Sequence, residues 1–188
     1  MESLSGKLLV ASPGMDDPNF ARAVILMIEH HDEGALGLVL NRVMERRVEE
    51  VWEQITLEDC QVDEPLRFGG PCPGPVMMLH DRRDCAGVEL AHGVCFSSEP
   101  EQVVAATGDP PPSGRPRTYF ASYSGWGSGQ LESELDQGAW LVASASRDVV
   151  FDPDADDGLW MRVLASIDRA IAMLALNPNL VPRDPLMN

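Results

Sequence analysis

The sequence predicts an α+β fold: one domain built on a mixed β-sheet, with an antiparallel hairpin and packed helices. Three observations predict it. Apolar runs of strand length recur between Gly, Pro and Asp punctuation, as in Leu8–Ser12, Ala23–Glu29 and Arg117–Tyr123. Two such runs, Ala23–Glu29 and Ala35–Leu40, are separated only by the polar turn His30–Gly34, which marks a hairpin. Toward the C-terminus, Trp160, Val163, Leu164, Ile167, Ile171 and Leu174 recur at helical spacing and share one face. Strands and helices interleave while hairpins occur among the strands, so a strict parallel βαβ array is not expected.

Taken in order, Leu8–Ser12 reads as a first strand ended by Pro13-Gly14, and Asp16-Asp17-Pro18 as the cap of a short helical turn. Ala23–Glu29 is apolar on both strand faces and is expected to be a central strand covered on both sides. Val48, Val51, Trp52 and Ile55 line one face of a helix over Val48–Ile55. Leu66–Phe68 is a short strand broken by Gly69-Gly70-Pro71, and Val76–Leu79, Val88–Leu90 and Val94–Phe96 are further strands. Pro100–Ala106 gives one or two helical turns, and Gly108–Gly114 a surface insertion. Arg117–Tyr123 is a strand entering a glycine turn at Gly125–Gly129, followed by a short acidic helix that Gly138 stops. Ala139–Ala143 and Asp148–Phe151 read as strands, and Asp156 begins the last helix, running to Ala175. The domain is expected to span 1–176. Pro178, Pro182 and Pro185 make 177–188 an extended or frayed tail.

Charge narrows the function classes. With 30 acidic and 14 basic residues the net charge is −16, and only Lys7 among the bases is a lysine. Phosphate neutralisation by Lys and Arg supplies most non-specific nucleic-acid affinity, so direct non-specific binding to DNA or RNA is disfavoured. Attraction to an anionic membrane surface is disfavoured for the same reason. No secretory signal and no bilayer-length apolar run is visible, which makes a cytoplasmic location the expectation. Cys60, Cys72, Cys85 and Cys95 are then read as reduced thiols.

Two constellations are candidates for a ligand or partner site. One is the stretch Gly125-Trp126-Gly127 with Gln130 and Glu134, where glycines permit close approach, Trp126 offers an apolar wall, and Gln130 both donates and accepts. It lacks the third glycine of a dinucleotide fingerprint, a Walker lysine and a nucleophile elbow. A tight strand-to-helix junction with Trp126 packed over it explains the stretch better than a site does. The other comprises Asp17, Arg22, Glu29, His30 and Asn41. Adjacent carboxylate and imidazole at Glu29-His30 could work as an acid/base unit, although a hydrogen-bonded network fixing the hairpin accounts for the same residues. His80, His92 and the cysteines lack paired metal-ligand spacing apart from His92-x-x-Cys95, so no metal and no cofactor is expected. The acids at 152, 154, 156 and 157 read as a solvated loop capping the final helix.

Several motifs together resemble the AlgH/YqgE family of small bacterial proteins: Leu8–Phe20 with Arg22, Glu29-His30, Glu33–Asn41, Phe68–Pro71, Leu79-His80, Ser124–Glu134 and Trp140. Ser124, Cys72 and the proline-rich tail depart from the usual family pattern. The resemblance implies a single α+β domain with a mixed sheet and no established enzymatic activity; some members carry the label of transcriptional regulators. The function expected is therefore a non-enzymatic binding or regulatory protein, acting through a protein or small-molecule partner. The competing class is a hydrolase using Glu29, His30 and the Gly125–Gln130 turn. An enzyme should bring Glu29, His30 and Gln130 into one concavity, whereas a binding module should show an exposed apolar patch.

Overall fold

The computed structural model describes residues 2–55, 62–85, 87–90, 92–108, 114–169, 172 and 175. Its strands are β1 (Lys7–Ala11), β2 (Val24–His31), β3 (Gly34–Val39), β4 (Val43–Arg47), β5 (Pro65–Arg67), β6 (Cys72–His80), β7 (Val88–Glu89), β8 (Cys95–Ser97), β9 (Arg117–Gly127) and β10 (Trp140–Ser144). The helices are α1 (Pro100–Thr107), α2 (Gln130–Asp136), α3 (Arg147–Val150) and α4 (Asp157–Ile167), with a 3₁₀ segment at Val48–Gln54. The sheet runs β10-β1-β2-β3-β9-β6-β8-β7, and β4 and β5 branch from it. Its pairings are antiparallel except β5 with β9, so the sheet is mixed, as the sequence predicts.

The long strand β9 organises the branch. One edge pairs with β6; the other pairs with β5 at Tyr119–Phe120 and then with β3 from Ser124 to Gly127. The changeover needs a chain without side chains, and Gly69-Gly70 supplies it. The Gly69 carbonyl accepts from Val39 N at 2.9 Å and from Ser124 Oγ at 3.0 Å. A Cβ on Gly69 would collide with the Ser122 carbonyl, and one on Gly70 (φ 148°) with Ser124.

Alternation along β2 sends Val24, Leu26 and Ile28 into one core with Trp160 and Leu164 of α4, and Ile25 and Met27 into another with Trp126, Leu131 and Trp140. Ala23–Glu29 is thus the doubly covered strand expected from its sequence, and it pairs antiparallel with β3. Trp160 is buried, with its indole N–H donating to Ala11 O at 2.8 Å. A third core gathers Val48, Val51 and Trp52 with Leu66, Met78, Val103 and Tyr119.

Several expectations are corrected. Residues 125–127 are not a turn: β9 continues through Gly127, because β3 offers them a pairing edge. Among the three glycines only Gly129 has positive φ, at 71°. Asp148–Phe151 is not a strand but the short helix α3, capped by the Ser146 hydroxyl accepting from Val149 N. Asp17 caps a short turn over 18–22 as expected, its Oδ1 accepting from Asn19 N at 2.8 Å. Val48–Gln54 winds as a 3₁₀ helix, and β4 was not foreseen. The last helix begins as predicted, on an Asp156 cap, but is interrupted at Asp168, whose backbone is extended. Arg169, Ala172 and Ala175 are helical again, while Ile171, Leu174, the tail 177–188, Cys60 and most of the 108–114 insertion lie outside the described residues.

Candidate functional site

The ten candidate residues fall into two separate groups. In the first, Asn41 follows β3 and is buried; its Oδ1 accepts from Val24 N and its Nδ2 donates to Arg22 O, both at 2.9 Å. Arg22 takes a left-handed backbone (φ 58°), rare for a residue with a Cβ, and the Asn41 amide holds its carbonyl in place. Asp17 O accepts from Phe20 N and Ala21 N, closing the turn before it. Arg42, also buried, donates from Nη2 to Ala21 O at 2.5 Å. Arg67 reaches Leu40 O and Asp152 O; burial pulls its guanidinium below the ordinary value and Asp152 opposes that shift.

These contacts fix the chain at 17–22 against the start of β4 and leave a groove between them. It encloses about 540 Å³ and is lined by Pro18, Asn19, Arg42, Val43, Met44, Glu45 and Phe68. Such a volume falls within the range of ligand pockets. Val43 is 57% exposed, ahead of Val88 at 55% and Val142 at 41%. Sequence reasoning missed this surface: Val43–Arg47 carries three charges in five residues and shows no clean alternation. The available signal was an apolar Val43-Met44 pair directly after the polar pair Asn41-Arg42.

The second group surrounds α2. The His30 ring accepts Leu4 N at Nδ1 (3.1 Å), so Nε2 carries the proton and donates to Glu132 Oε1 at 3.0 Å. Its own backbone N–H and then His30 hold the Glu132 carboxyl below the ordinary value. Gln130 Oε1 accepts from Gly127 N, and its Nε2 donates to Glu134 Oε1. Glu134 Oε2 accepts from the indoles of Trp126 and Trp140, at 2.9 and 2.7 Å. Phe20 stacks on Trp126 at 6.2 Å and meets Trp140 edge-on at 5.4 Å. Glu29 leans outward with a side chain 58% exposed, 4.0 Å from His31.

Among the described residues no hydrogen bond or ion pair joins Glu29, His30 and Gln130 to one another, and the polar ends of His30, Gln130 and Glu134 are engaged by Leu4, Glu132, Gly127, Trp126 and Trp140. Their chemistry is that of a brace tying the N-terminal segment, β9 and β10 to α2. His80 is buried, accepts from Arg82 N at Nδ1 and meets Ser97 Oγ at 3.0 Å from Nε2. Burial, then Arg82, lowers its pKa. Among the described residues no group of three or more His, Cys, Asp or Glu is arranged to hold a metal ion.

A model of the AlgH-like family matches residues 8–172. The chain belongs to the AlgH-like family. Among its AlgH-like relatives, a UPF0301 protein of Chlorobaculum tepidum is 38% identical over 178 residues, 93% of this chain and 92% of that one. A UPF0301 protein of Ruegeria pomeroyi is 34% identical over 168 residues, covering 86% and 90%. The solution structure of the AlgH protein from Pseudomonas aeruginosa superposes with a TM-score of 0.71 at 29% identity, covering 94% and 95%. The crystal structure of protein DIP2367 from Corynebacterium diphtheriae gives 0.69 at 27%, covering 91% of each chain. Among the described residues of this AlgH-like chain, no helix is long and apolar enough to cross a membrane.

Proposed function

We propose that this AlgH-like chain is a non-enzymatic binding protein of the bacterial cytoplasm, and that the groove along β4 is its binding surface. One observation carries the reading: an apolar concavity of about 540 Å³ with a 57% exposed Val43 on its wall, held open by buried polar residues that catalysis does not require. Asn41 and Arg42 each spend a buried polar side chain on shaping the wall at 21–22. A regulatory role, including one in transcription, would act through a bound protein, because a net charge of −16 opposes direct phosphate contact. The brace around Glu134 supports this assignment by leaving its polar groups engaged internally.

Titration with the neutral fluorescent probe N-phenyl-1-naphthylamine tests it. Binding is expected, and Val43→Lys should weaken it at least tenfold while the circular dichroism spectrum stays unchanged. Binding that is insensitive to Val43→Lys and is instead abolished by Gln130→Ala would assign the ligand site to α2 and overturn the proposal.

A further inference from the structure

The groove has a second property, which concerns what fits it. Among the described residues β4 pairs only with β5. Phe68 N donates to Arg42 O at 2.8 Å, so the alternation of an antiparallel ladder turns the N–H and C=O of Val43 away from β5. An edge strand with outward backbone groups is a template for another strand, and here Pro18, Met44 and Phe68 supply apolar ground beside it. Five residues of β4 span about 16 Å, enough to pair a short extended segment.

Charge selects among possible occupants. Arg42 is buried on Ala21 O, Arg46 is paired with Glu50 at 3.7 Å, and Arg47 is engaged by Asp63. Glu45 is exposed on the groove wall, and Asp16 and Asp17 are exposed in the chain that leads to Pro18. The remaining accessible field is negative, in a molecule whose net charge is already −16. A second copy of this chain would bring another −16 to the interface, whereas a cationic segment is attracted from a distance.

We propose that the groove captures an extended, basic and apolar segment of a partner protein, added as a strand to the free edge of β4. This rests on the groove being the binding surface. Side chains on one face of the segment would meet Met44 and Phe68, and Lys or Arg on the other face would lie over Val43 and reach Glu45.

Fluorescence anisotropy with a labelled ten-residue peptide of alternating valine and lysine tests this, alongside its valine–glutamate counterpart and a version N-methylated at every second amide. The valine–lysine peptide is expected to bind, at least tenfold more weakly to Glu45→Lys and to Val43→Lys, and more weakly as salt rises. The glutamate and N-methylated peptides should bind at least tenfold more weakly than the parent. Equal binding of the glutamate peptide overturns the charge assignment, and equal binding of the N-methylated peptide overturns strand addition. A concentration-dependent dimer in sedimentation equilibrium that Val43→Lys abolishes would make the occupant a second copy and overturn the proposal. Should no peptide bind while N-phenyl-1-naphthylamine still does so in a Val43-dependent manner, strand addition fails and the groove reading stands. If neither binds, both fail.

Discussion

Asn41, a ligand- or partner-site candidate in sequence, spends both ends of its side-chain amide on backbone groups in space. Its amide satisfies Val24 N and Arg22 O, both beside the left-handed turn that walls the groove. Removing it leaves a buried donor and a part-buried acceptor unmet, so Asn41→Ala should cost about 1–3 kcal/mol in urea unfolding. A loss below about 1 kcal/mol would mean that water replaces the amide without penalty. His80 offers a second test at this scale. Burial lowers its pKa in the folded state, so the unfolded chain takes up the proton first as pH falls. Its contribution to stability is present above the ordinary imidazole value and is lost as pH drops below it. The ring Cε1 proton should therefore titrate below the ordinary range in the native protein, and titration at or above that range would contradict the burial argument.

At the scale of elements, the glycines of β9 and α2 separate into two kinds. Gly129 caps α2 with φ 71°, a conformation that a Cβ opposes, so Gly129→Ala should destabilise by about 1–2 kcal/mol. Gly127 lies in β9 with no atom nearer than 4.0 Å to a built Cβ, so Gly127→Ala should leave stability unchanged or raise it by up to about 1 kcal/mol. Thermal unfolding of the two variants checks the pair, and the reverse order would contradict the strand assignment. The same elements show what was legible beforehand. Ala23–Glu29 and Ala35–Leu40 were legible as a hairpin because their apolar patterns are local and their turn is short. The end of β9 was not, because a neighbouring strand, β3, decides whether Gly125–Gly127 pairs, and no local signal encodes that neighbour. Asp148–Phe151 carries β-branched residues that favour a strand, yet the Ser146 cap and burial of Val150 turn it helical. The candidate residues were legible through their chemistry, but their division into a groove wall and a brace depends on contacts across the sheet, such as His30 with Glu132.

For the whole molecule, a charge of −16 and a largely apolar concavity bearing Glu45 act together. The field should exclude duplex DNA, and a mobility-shift titration at moderate salt is expected to show no non-specific complex; a stable one would require a strongly segregated arginine face. The field should also draw cationic partners toward the groove, where apolar contact takes over. The central claim is that binding belongs to β4 and not to α2. Amide chemical-shift mapping with the valine–lysine peptide or the neutral probe tests it most directly. The account predicts shifts concentrated at Asn19, Val43, Met44, Glu45 and Phe68, with Gly127, Gln130 and Glu134 unmoved; the opposite distribution would contradict it.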